Sequence, residues 1–410
     1  MEITQCFRIS GAVCISVAFV VGVVGTISEA QSKNAPAVLL PTRSLSLKIC
    51  GWQPTPHDPL GMKPSGDAPS IMAFDHQGNL WTGYVTKSSK LVPRAKPDSG
   101  AQYNIVELSG SPLKCEVRLN RPTTESSPAA IMFSNKRSML VVANDQLHLI
   151  DQTGFKDLAT FELLRSSDHE YYRVTQSPGR KSLVIVIDGY IHAESSYTWI
   201  DPDTLKIIQR CTYPPRPDYG HYIGFRSFAD DGRYAELDYD SGLYAKPAYV
   251  GTFGVAEGKY CSEKTKIPPE RMQPVDALMF DRETAYFSSR IDDGSIVVYD
   301  QNGSLIYFVP AQDREVKERT EIAVSEDGGR IAVIIDTMAG GHPALDINEH
   351  VASRRVDIFD TSTWTRAAQI ELPVTGRTEF TGDITLAFTP DGKTLALRMA
   401  DLVQFYDGIP

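Results

Sequence analysis

The feature that most constrains this chain is a strand–turn–strand unit that recurs at intervals of about fifty residues. Each unit joins two apolar strands through a short polar turn, as in Ile384 to Met399, which reads ITLAFTPDGKTLALRM. Asp and Gly recur in these turns because an Asp side chain can accept a backbone N–H and Gly tolerates positive φ. Such a repeat predicts one large all-β domain. The seven units begin at Ser70, Ala129, Arg173, Ile223, Asp276, Thr320 and Ile384.

Each unit also has a second half, in which a third strand often ends in an Asp that opens the turn to an outer strand. The last unit stops after its third strand, because only three residues follow Asp407. We expect its missing outer strand to be Arg43 to Trp52, which alternates apolar and polar residues as a half-buried strand does. This pairing would close a ring of sheets and cover strand edges that favour aggregation. The recurring residues are Asp151, Asp201, Asp300, Asp360 and Asp407.

The hairpins FTPDGKTLAL, VSEDGGRIAV and FADDGRYAEL resemble the inner hairpins of WD40-like and YVTN-type bacterial propellers. The resemblance covers nearly all of residues 43–410. It implies an all-β fold, a seven-bladed β-propeller closed by the N-terminal strand. The Gly-His and Trp-Asp signatures of true WD40 repeats are absent, which places the chain in the wider superfamily. A resemblance of this kind predicts a fold and not a function.

The first thirty residues have the features of a cleaved signal peptide. Arg8 lies in a polar n-region, Gly11 to Gly25 is apolar, and Ser28-Glu29-Ala30 offers small residues at a cleavage site. The alternative is an uncleaved anchor, but the apolar run is shorter than the ~20 residues of a spanning helix. We therefore expect a secreted or periplasmic protein without a membrane span after cleavage. The expected organisation is a signal peptide at 1–30, a leader segment at 31–42 and a single propeller domain at 43–410.

Four cysteines remain after cleavage: Cys50, Cys115, Cys211 and Cys261. An even number of cysteines in an oxidising compartment predicts at least one disulfide, with three pairings possible. The alternative is that they are isolated buried thiols, since cysteine is also a common core residue.

The formal net charge of −10 argues against nucleic acid and anionic membranes as partners, because both are bound by clustered Lys and Arg. We expect a monomer whose partner is a protein or a glycan. Tyr219, Tyr222 and Tyr244 lie in or near loops, where their rings could stack on a sugar or a partner.

The resemblance implies a propeller with a central channel. Two kinds of connection then lie on one face around this channel: those between second and third strands, and those between one blade and the next. We call this the loop face, and the opposite side, with the short hairpin turns, the turn face. Six of the eight histidines fall in loop-face segments. Imidazole can donate, accept, bind metal or change charge near neutral pH. We therefore expect the ligand-binding residues to be His57, His192, His221, His342, Asp346 and His350.

The largest insertion, Asp336 to Arg355, lies in the sixth repeat. His342, Asp346 and His350 follow one another at intervals of four, which on a helix would place them on one face. Such a set could bind a divalent metal. The alternative, a solvated loop with incidental histidines, leads us to assign no metal and no cofactor.

The sequence lacks the motifs that mark common catalytic sites. It contains no Gly-x-Ser-x-Gly, no His-Glu-x-x-His, no Walker loop and no haem attachment motif. This favours an exported, non-enzymatic protein that binds a protein or glycan through its loop face. The alternative is a metal-assisted hydrolase or lactonase-like enzyme, with ligands converging from several blades. A redox-cofactor propeller is a third hypothesis, for which no attachment chemistry is found.

Overall fold

The computed structural model describes most strands of the chain and their shorter turns. Between residues 221 and 309 it describes strand backbones and the side chain of Asp230. The predicted signal peptide and Cys261 lie outside the described residues. Within the described part of the chain, no helix has the length and apolar character needed to cross a bilayer. The described residues are 36–52, 72–86, 102–122, 130–134, 138–163, 170–189, 195–213, 221–228, 230, 233–240, 244–252, 265–266, 274–279, 286–290, 296–299, 305–309, 322–339, 350–373, 384–399 and 401–410.

The described chain from Ala37 to Pro410 is one compact unit composed almost entirely of antiparallel sheets. It begins with β1 (Ala37–Val38), β2 (Arg43–Ser46) and a 3-10 helix (Leu47–Cys50). Blade I consists of β3 (Met72–Phe74), β4 (Leu80–Thr86), β5 (Gln102–Ser109) and β6 (Lys114–Pro122). Blade II consists of β7 (Ala130–Phe133), β8 (Met139–Ala143), β9 (Gln146–Ile150) and β10 (Asp157–Glu162). Blade III consists of β11 (Glu170–Gln176), β12 (Leu183–Gly189), β13 (Ser195–Ile200) and β14 (Ile207–Tyr213).

Two further four-stranded sheets follow, which we call the intervening sheets. The first has β15 (His221–Phe228), β16 (Arg233–Asp240), β17 (Tyr244–Thr252) and β18 (Thr265–Lys266). The second has β19 (Pro274–Met279), β20 (Tyr286–Arg290), β21 (Ile296–Tyr299) and β22 (Leu305–Val309). Blade IV consists of β23 (Ile322–Val324), β24 (Arg330–Ala339), β25 (His350–Asp360) and β26 (Thr365–Leu372), with β1 added beside β26. Blade V consists of β27 (Ile384–Phe388), β28 (Thr394–Met399) and β29 (Leu402–Asp407), with β2 as its outer strand.

Four apolar cores join the five blades side by side in the order IV, V, I, II, III. The innermost strands of adjacent blades contact one another, β23 with β27, β27 with β3, and β3 with β7. This is the arrangement of a β-propeller, in which first strands surround the axis. In the same order, the cores contain Ile358 and Leu397, Val403 and Leu80, Trp81 and Phe133, and Val142 and Ile185.

The second strands show why these residues form two-sided sheets. All five residues of β8 are buried. Met139 and Val141 belong to the core shared with blade I, whereas Leu140 and Val142 belong to the core shared with blade III. Side chains alternate across a strand, so a continuous apolar run fits a strand that is covered on both faces.

The predicted count of seven blades was wrong, because the packed blades number five among the residues whose side chains are described. All seven repeats form paired hairpins, but two of these hairpins, β15–β16 and β19–β20, lie in the intervening sheets, which have no described core. A turn pattern specifies a hairpin through local backbone geometry. It does not specify the side-chain packing that makes the hairpin part of a packed blade.

In blades II, III and IV the turns from third to fourth strands share one form, in which the recurring Asp residues act as turn formers. The Asp carbonyl accepts the backbone N–H four residues later, at 2.7–2.9 Å, and that later residue is apolar with a φ of 52–55°. A bulky residue in this region costs roughly 1–2 kcal/mol. Burial of Leu205 and Trp364, and packing of Phe155 against the core between blades I and II, offset this cost. The pairs are Asp151 with Phe155, Asp201 with Leu205, and Asp360 with Trp364.

The N-terminal strand completes blade V, which confirms the predicted pairing. β2 lies antiparallel to β29, with Arg43 opposite Phe405 and Ser46 opposite Leu402. Asp407, the recurring Asp of this blade, accepts the Thr42 hydroxyl at 2.6 Å and the Arg43 guanidinium at 3.0 and 3.2 Å. In other blades the recurring Asp accepts hydrogen bonds from residues of the turn that follows it. In blade V the N-terminal segment supplies these donors.

The strand is shorter than predicted, because Leu47–Cys50 forms a 3-10 helix instead of continuing to Trp52. The Ser46 hydroxyl caps this helix by accepting the Lys48 N–H at 3.3 Å, and Gly51 ends it with a φ of 91°. Side-chain capping of this kind competes locally with extended structure. The leader contributes a strand of its own, since Ala37–Val38 pairs in parallel with β26.

A disulfide joins Cys50 to Cys115, with Cα atoms 5.9 Å apart. It links the helix after β2 to β6, the outer strand of blade I. Cys211 is also disulfide-bonded. The prediction of at least one disulfide is confirmed.

We expect the double substitution Cys50→Ser/Cys115→Ser to lower the free energy of unfolding by about 2–4 kcal/mol, because the bond closes a long loop. Urea unfolding followed by fluorescence measures this loss, and reduction of the wild type provides a comparison. A double variant as stable as the oxidised wild type would contradict the prediction.

Candidate functional site

Four hairpin turns on the turn face share one hydrogen-bonded geometry. The fourth residue donates its N–H to the carbonyl of the first at 2.8–3.1 Å and has a positive φ. In blades I, IV and V that fourth residue is glycine, but in blade III it is Arg180, with a φ of 61°. The four bonded pairs are Gly78 with Asp75, Arg180 with Ser177, Gly328 with Ser325, and Gly392 with Thr389.

The glycine of the blade III turn lies one position earlier, at Gly179, for a steric reason. A Cβ there would approach an Asp230 carboxylate oxygen to 2.0 Å, so any side chain at this position would displace Asp230. Asp230 also accepts from the Ser177 hydroxyl and pairs with Lys181 at 3.2 Å. The blade III turn therefore differs from the other three at both its third and its fourth residue.

Arg180 interacts with three other blades. Its Nε lies 3.2 Å from a Glu326 carboxylate oxygen of blade IV, and its guanidinium lies 6.0 Å from the centre of the Phe133 ring of blade II. The charge of Asp75 in blade I also acts on it. Only a side chain near the axis can reach so many blades. We call Asp75, Phe133, Arg180 and Glu326 the axial cluster.

Burial dominates the electrostatics of Arg180. Its exposed fraction is 9%, and desolvation lowers the pKa of its guanidinium, while the carboxylates of Glu326 and Asp75 act in the opposite direction. Among the described residues, its buried Nη1 has no hydrogen-bond partner. A buried cation with an unpaired nitrogen and a strained backbone is costly, and it persists only where the surroundings hold it in place.

Hydrogen bonds between turns continue around the axial cluster. His76 Nε2 is 2.8 Å from the Ser134 carbonyl oxygen, and Gln176 donates to the Phe133 carbonyl at 2.8 Å. Asp75 accepts two backbone N–H groups of its own turn and the Trp81 indole N–H at 3.0 Å. The polar groups at the centre of the turn face thus bind mainly to one another.

The described residues show no catalytic arrangement in the turn face. Within those residues there is no group of His, Cys, Asp and Glu that could hold a metal ion. The turn carboxylates are occupied locally: Asp151 and Asp391 accept hydroxyl and N–H groups of their own turns, and these bonds lower the pKa of both carboxyls. The metal-assisted hydrolase stays a prediction.

The predicted ligand-binding residues fall mostly outside the described part of the chain, namely His57, His192, His342 and Asp346. His221 and His350 are described by backbone alone, each at the first position of a strand. His350 lies opposite Ala339 in the β24–β25 ladder. His350 therefore lies on a strand, and the assignment of these six residues as a ligand-binding set stays a prediction.

The axial cluster was not predicted from the sequence, although a signal was present. In the turn SPGRKS, an arginine occupies the position that is glycine in FTPDGK, SEDGGR and DHQGNL. A bulky charged residue at a position that requires positive φ indicates a specific role. Its partner Glu326 carries no such signal, because the pairing depends on the tertiary arrangement.

No protein-family model matches the chain, and no curated protein matches it. Among solved structures, it is similar to Chaetomium thermophilum Raptor, with a TM-score of 0.52 and 10% identity. That match covers 84% of this chain and 28% of Raptor, so the chain spans under a third of that protein. It is also similar to the β-propeller domain of Myceliophteria thermophila Cps50 (Swd1), with a TM-score of 0.50 and 11% identity over 84% of this chain and 97% of that domain.

The chain is a β-propeller. The predicted resemblance to propellers is confirmed for the fold, which is all that identities of this size show. The YVTN type and the bacterial origin stay predictions.

The strain at Arg180 predicts a specific order of stability. Arg180→Ala and Arg180→Gly both remove the ion pair, but only glycine adopts the required φ without cost. We expect the glycine variant to be more stable than the alanine variant by about 1 kcal/mol in urea unfolding. Gly78→Ala is a matched control with a similar expected loss, because a Cβ there meets no other atom within 4 Å. Equal stability of the two Arg180 variants would contradict this account.

A second buried titratable group lies between the outer strands of blades I and II. His148 lies on β9, and its Nδ1 is 3.6 Å from a carboxylate oxygen of Asp157. The same carboxylate accepts hydrogen bonds from both terminal nitrogens of Arg121, each at 2.9 Å. Burial lowers the pKa of His148, and the positive charge of Arg121 adds to this effect, while Asp157 opposes it. The folded protein therefore favours the neutral imidazole.

A depressed folded-state pKa means that the unfolded chain binds more protons than the folded one as the pH falls. The contribution of His148 to stability is therefore complete above its unfolded pKa of about 6.5 and is lost below it. We expect His148→Gln to flatten the decrease in unfolding free energy as the pH falls below about 6.5. Urea unfolding at several pH values measures the slope, and an unchanged slope would show that His148 does not titrate in this way.

Proposed function

We propose that this protein is an exported, non-enzymatic propeller that binds a protein partner through its loop face. The observation that carries the proposal is the axial cluster. It brings side chains of four blades together at the centre of the turn face and leaves Arg180 almost fully buried. A face whose central polar groups bind one another offers little to a ligand, so recognition is left to the opposite face.

The strand register supports the same choice of face. The β4–β5 ladder ends at Thr86 and Gln102, and the β24–β25 ladder ends at Ala339 and His350. Both pairs of strands therefore end at the loop face, separated in the sequence by residues 87–101 and 340–349. Surface connections of this length are common recognition elements on rigid scaffolds.

A protein partner is favoured over other classes by two features. The resemblance to WD40-like propellers supports a role as a protein-interaction scaffold. The net charge of −10 disfavours nucleic acid.

The disulfides at Cys50 and Cys211 support export, since structural disulfides persist in oxidising compartments.

Site-specific crosslinking in the exported protein tests the proposal. A photoreactive amino acid replaces Gln102, which is exposed at the loop-face end of β5, and in a matched control it replaces Gln77, exposed in a turn-face hairpin. We expect the Gln102 variant to capture a discrete protein partner that unlabelled wild-type protein competes away. N-terminal sequencing of the same exported material is expected to begin at Gln31.

Capture through Gln77 with none through Gln102 would assign recognition to the turn face and overturn the proposal. A chain that retains residues 1–30 and stays inside the cell would overturn the export part independently.

A further inference from the structure

The N-terminal segment contacts three blades in succession. We call Ala37–Cys50 the clasp. Its β1 pairs with β26 of blade IV, and its β2 pairs with β29 of blade V. Its last residue, Cys50, is bonded to Cys115 of blade I, and the Tyr84 hydroxyl of blade I donates to the Cys50 carbonyl. One short segment therefore fastens three adjacent blades from the outside.

The noncovalent hold of the clasp is limited. The ladders with β26 and β29 involve two and four clasp residues. The Arg43–Asp407 ion pair is more than one-third exposed on both side chains, so solvent screens it. Only Leu45 and Leu47 are buried within the clasp, whereas Val38, Leu40 and Ile49 are strongly exposed. The burial of two leucines opposes the conformational entropy of an ordered segment of this length.

We propose that the Cys50–Cys115 disulfide is a redox-controlled lock on the clasp. When a dithiol reduces it, the dithiol closes to its own cyclic disulfide, and both cysteine sulfurs gain hydrogen. The clasp then leaves β29 and exposes the edge from Leu402 to Asp407. That edge accepts the clasp of a second copy of the chain, which gives a strand-exchanged dimer.

The edge of β29 favours the clasp sequence over an unrelated strand. Leaving β29 uncovered would expose unpaired N–H and C=O groups that favour another strand. At one end of the β2–β29 ladder, the Asp407 carboxylate accepts hydrogen bonds from Thr42 and Arg43. At the other end, Asp401 accepts the Ser46 hydroxyl at 2.5 Å and the Leu47 N–H at 2.7 Å. Exchange of an identical element between copies preserves all these contacts.

Binding of a clasp peptide tests the lock. A fluorescent peptide of residues 37–52, carrying Cys50→Ser, is titrated with full-length protein and followed by anisotropy. We expect it to bind the Cys50→Ser/Cys115→Ser protein at least about tenfold more tightly than the oxidised wild type. Wild type treated with dithiothreitol should behave like the double variant. A Cys211→Ser protein, which keeps the lock, should behave like the oxidised wild type.

Two further measurements keep the result interpretable. Circular dichroism establishes that the double variant is folded, and a peptide with Arg43→Glu, which places two carboxylates together at Asp407, should bind at least about tenfold more weakly. At high concentration, the double variant should also show a dimer by light scattering. Failure of the folded double variant to bind the peptide, or equal binding by the oxidised wild type, would overturn the proposal.

Discussion

The structure depends on the burial of both faces of each blade against its neighbours. A sheet with two apolar faces cannot exist alone in water, so each blade requires the next one. β8 shows this dependence clearly, since its alternate side chains belong to two different cores. The outer strand β10 instead alternates between exposed and partly buried residues. Burial thus decreases from the axis to the rim, and the rim is where chain ends and disulfides can be accommodated.

Local features of the fold could be predicted from the sequence because their causes are local. Turns with Asp and Gly predicted the hairpins, and the recurring Asp marked the ends of the third strands. The pairing of Arg43 with the last blade followed from a count of strands. By contrast, the end of β2 at Ser46 depends on a capping hydroxyl, and the pairing of β1 with β26 involves only two residues. Neither leaves a periodic pattern in the sequence.

The site was harder to predict than the fold for a physical reason. Histidines were predicted as ligand-binding residues from the chemistry of imidazole, and this stays a prediction. Chemistry alone does not indicate which residues the fold brings together. The contact between Arg180 and Glu326 joins turns that are separated in the chain by both intervening sheets. Such proximity results from the fold as a whole. The one local trace was the positive φ of Arg180, because the backbone geometry of a hairpin turn is largely set by nearby residues.

The route of the two chain ends has a practical consequence. β1 lies along β26, and the carbonyl oxygen of Pro410 accepts the Arg330 guanidinium at 3.0 Å, so both described ends contact blade IV. An affinity tag or reporter domain appended at either end would therefore depart from the same blade. A circularly permuted chain could join the two ends through a short linker, with new termini opened in the β24–β25 connection. The four strands of blade V would then lie within one stretch of sequence, with only β1 between β29 and β2. Its outer strand would no longer need to find its place from a distant part of the chain.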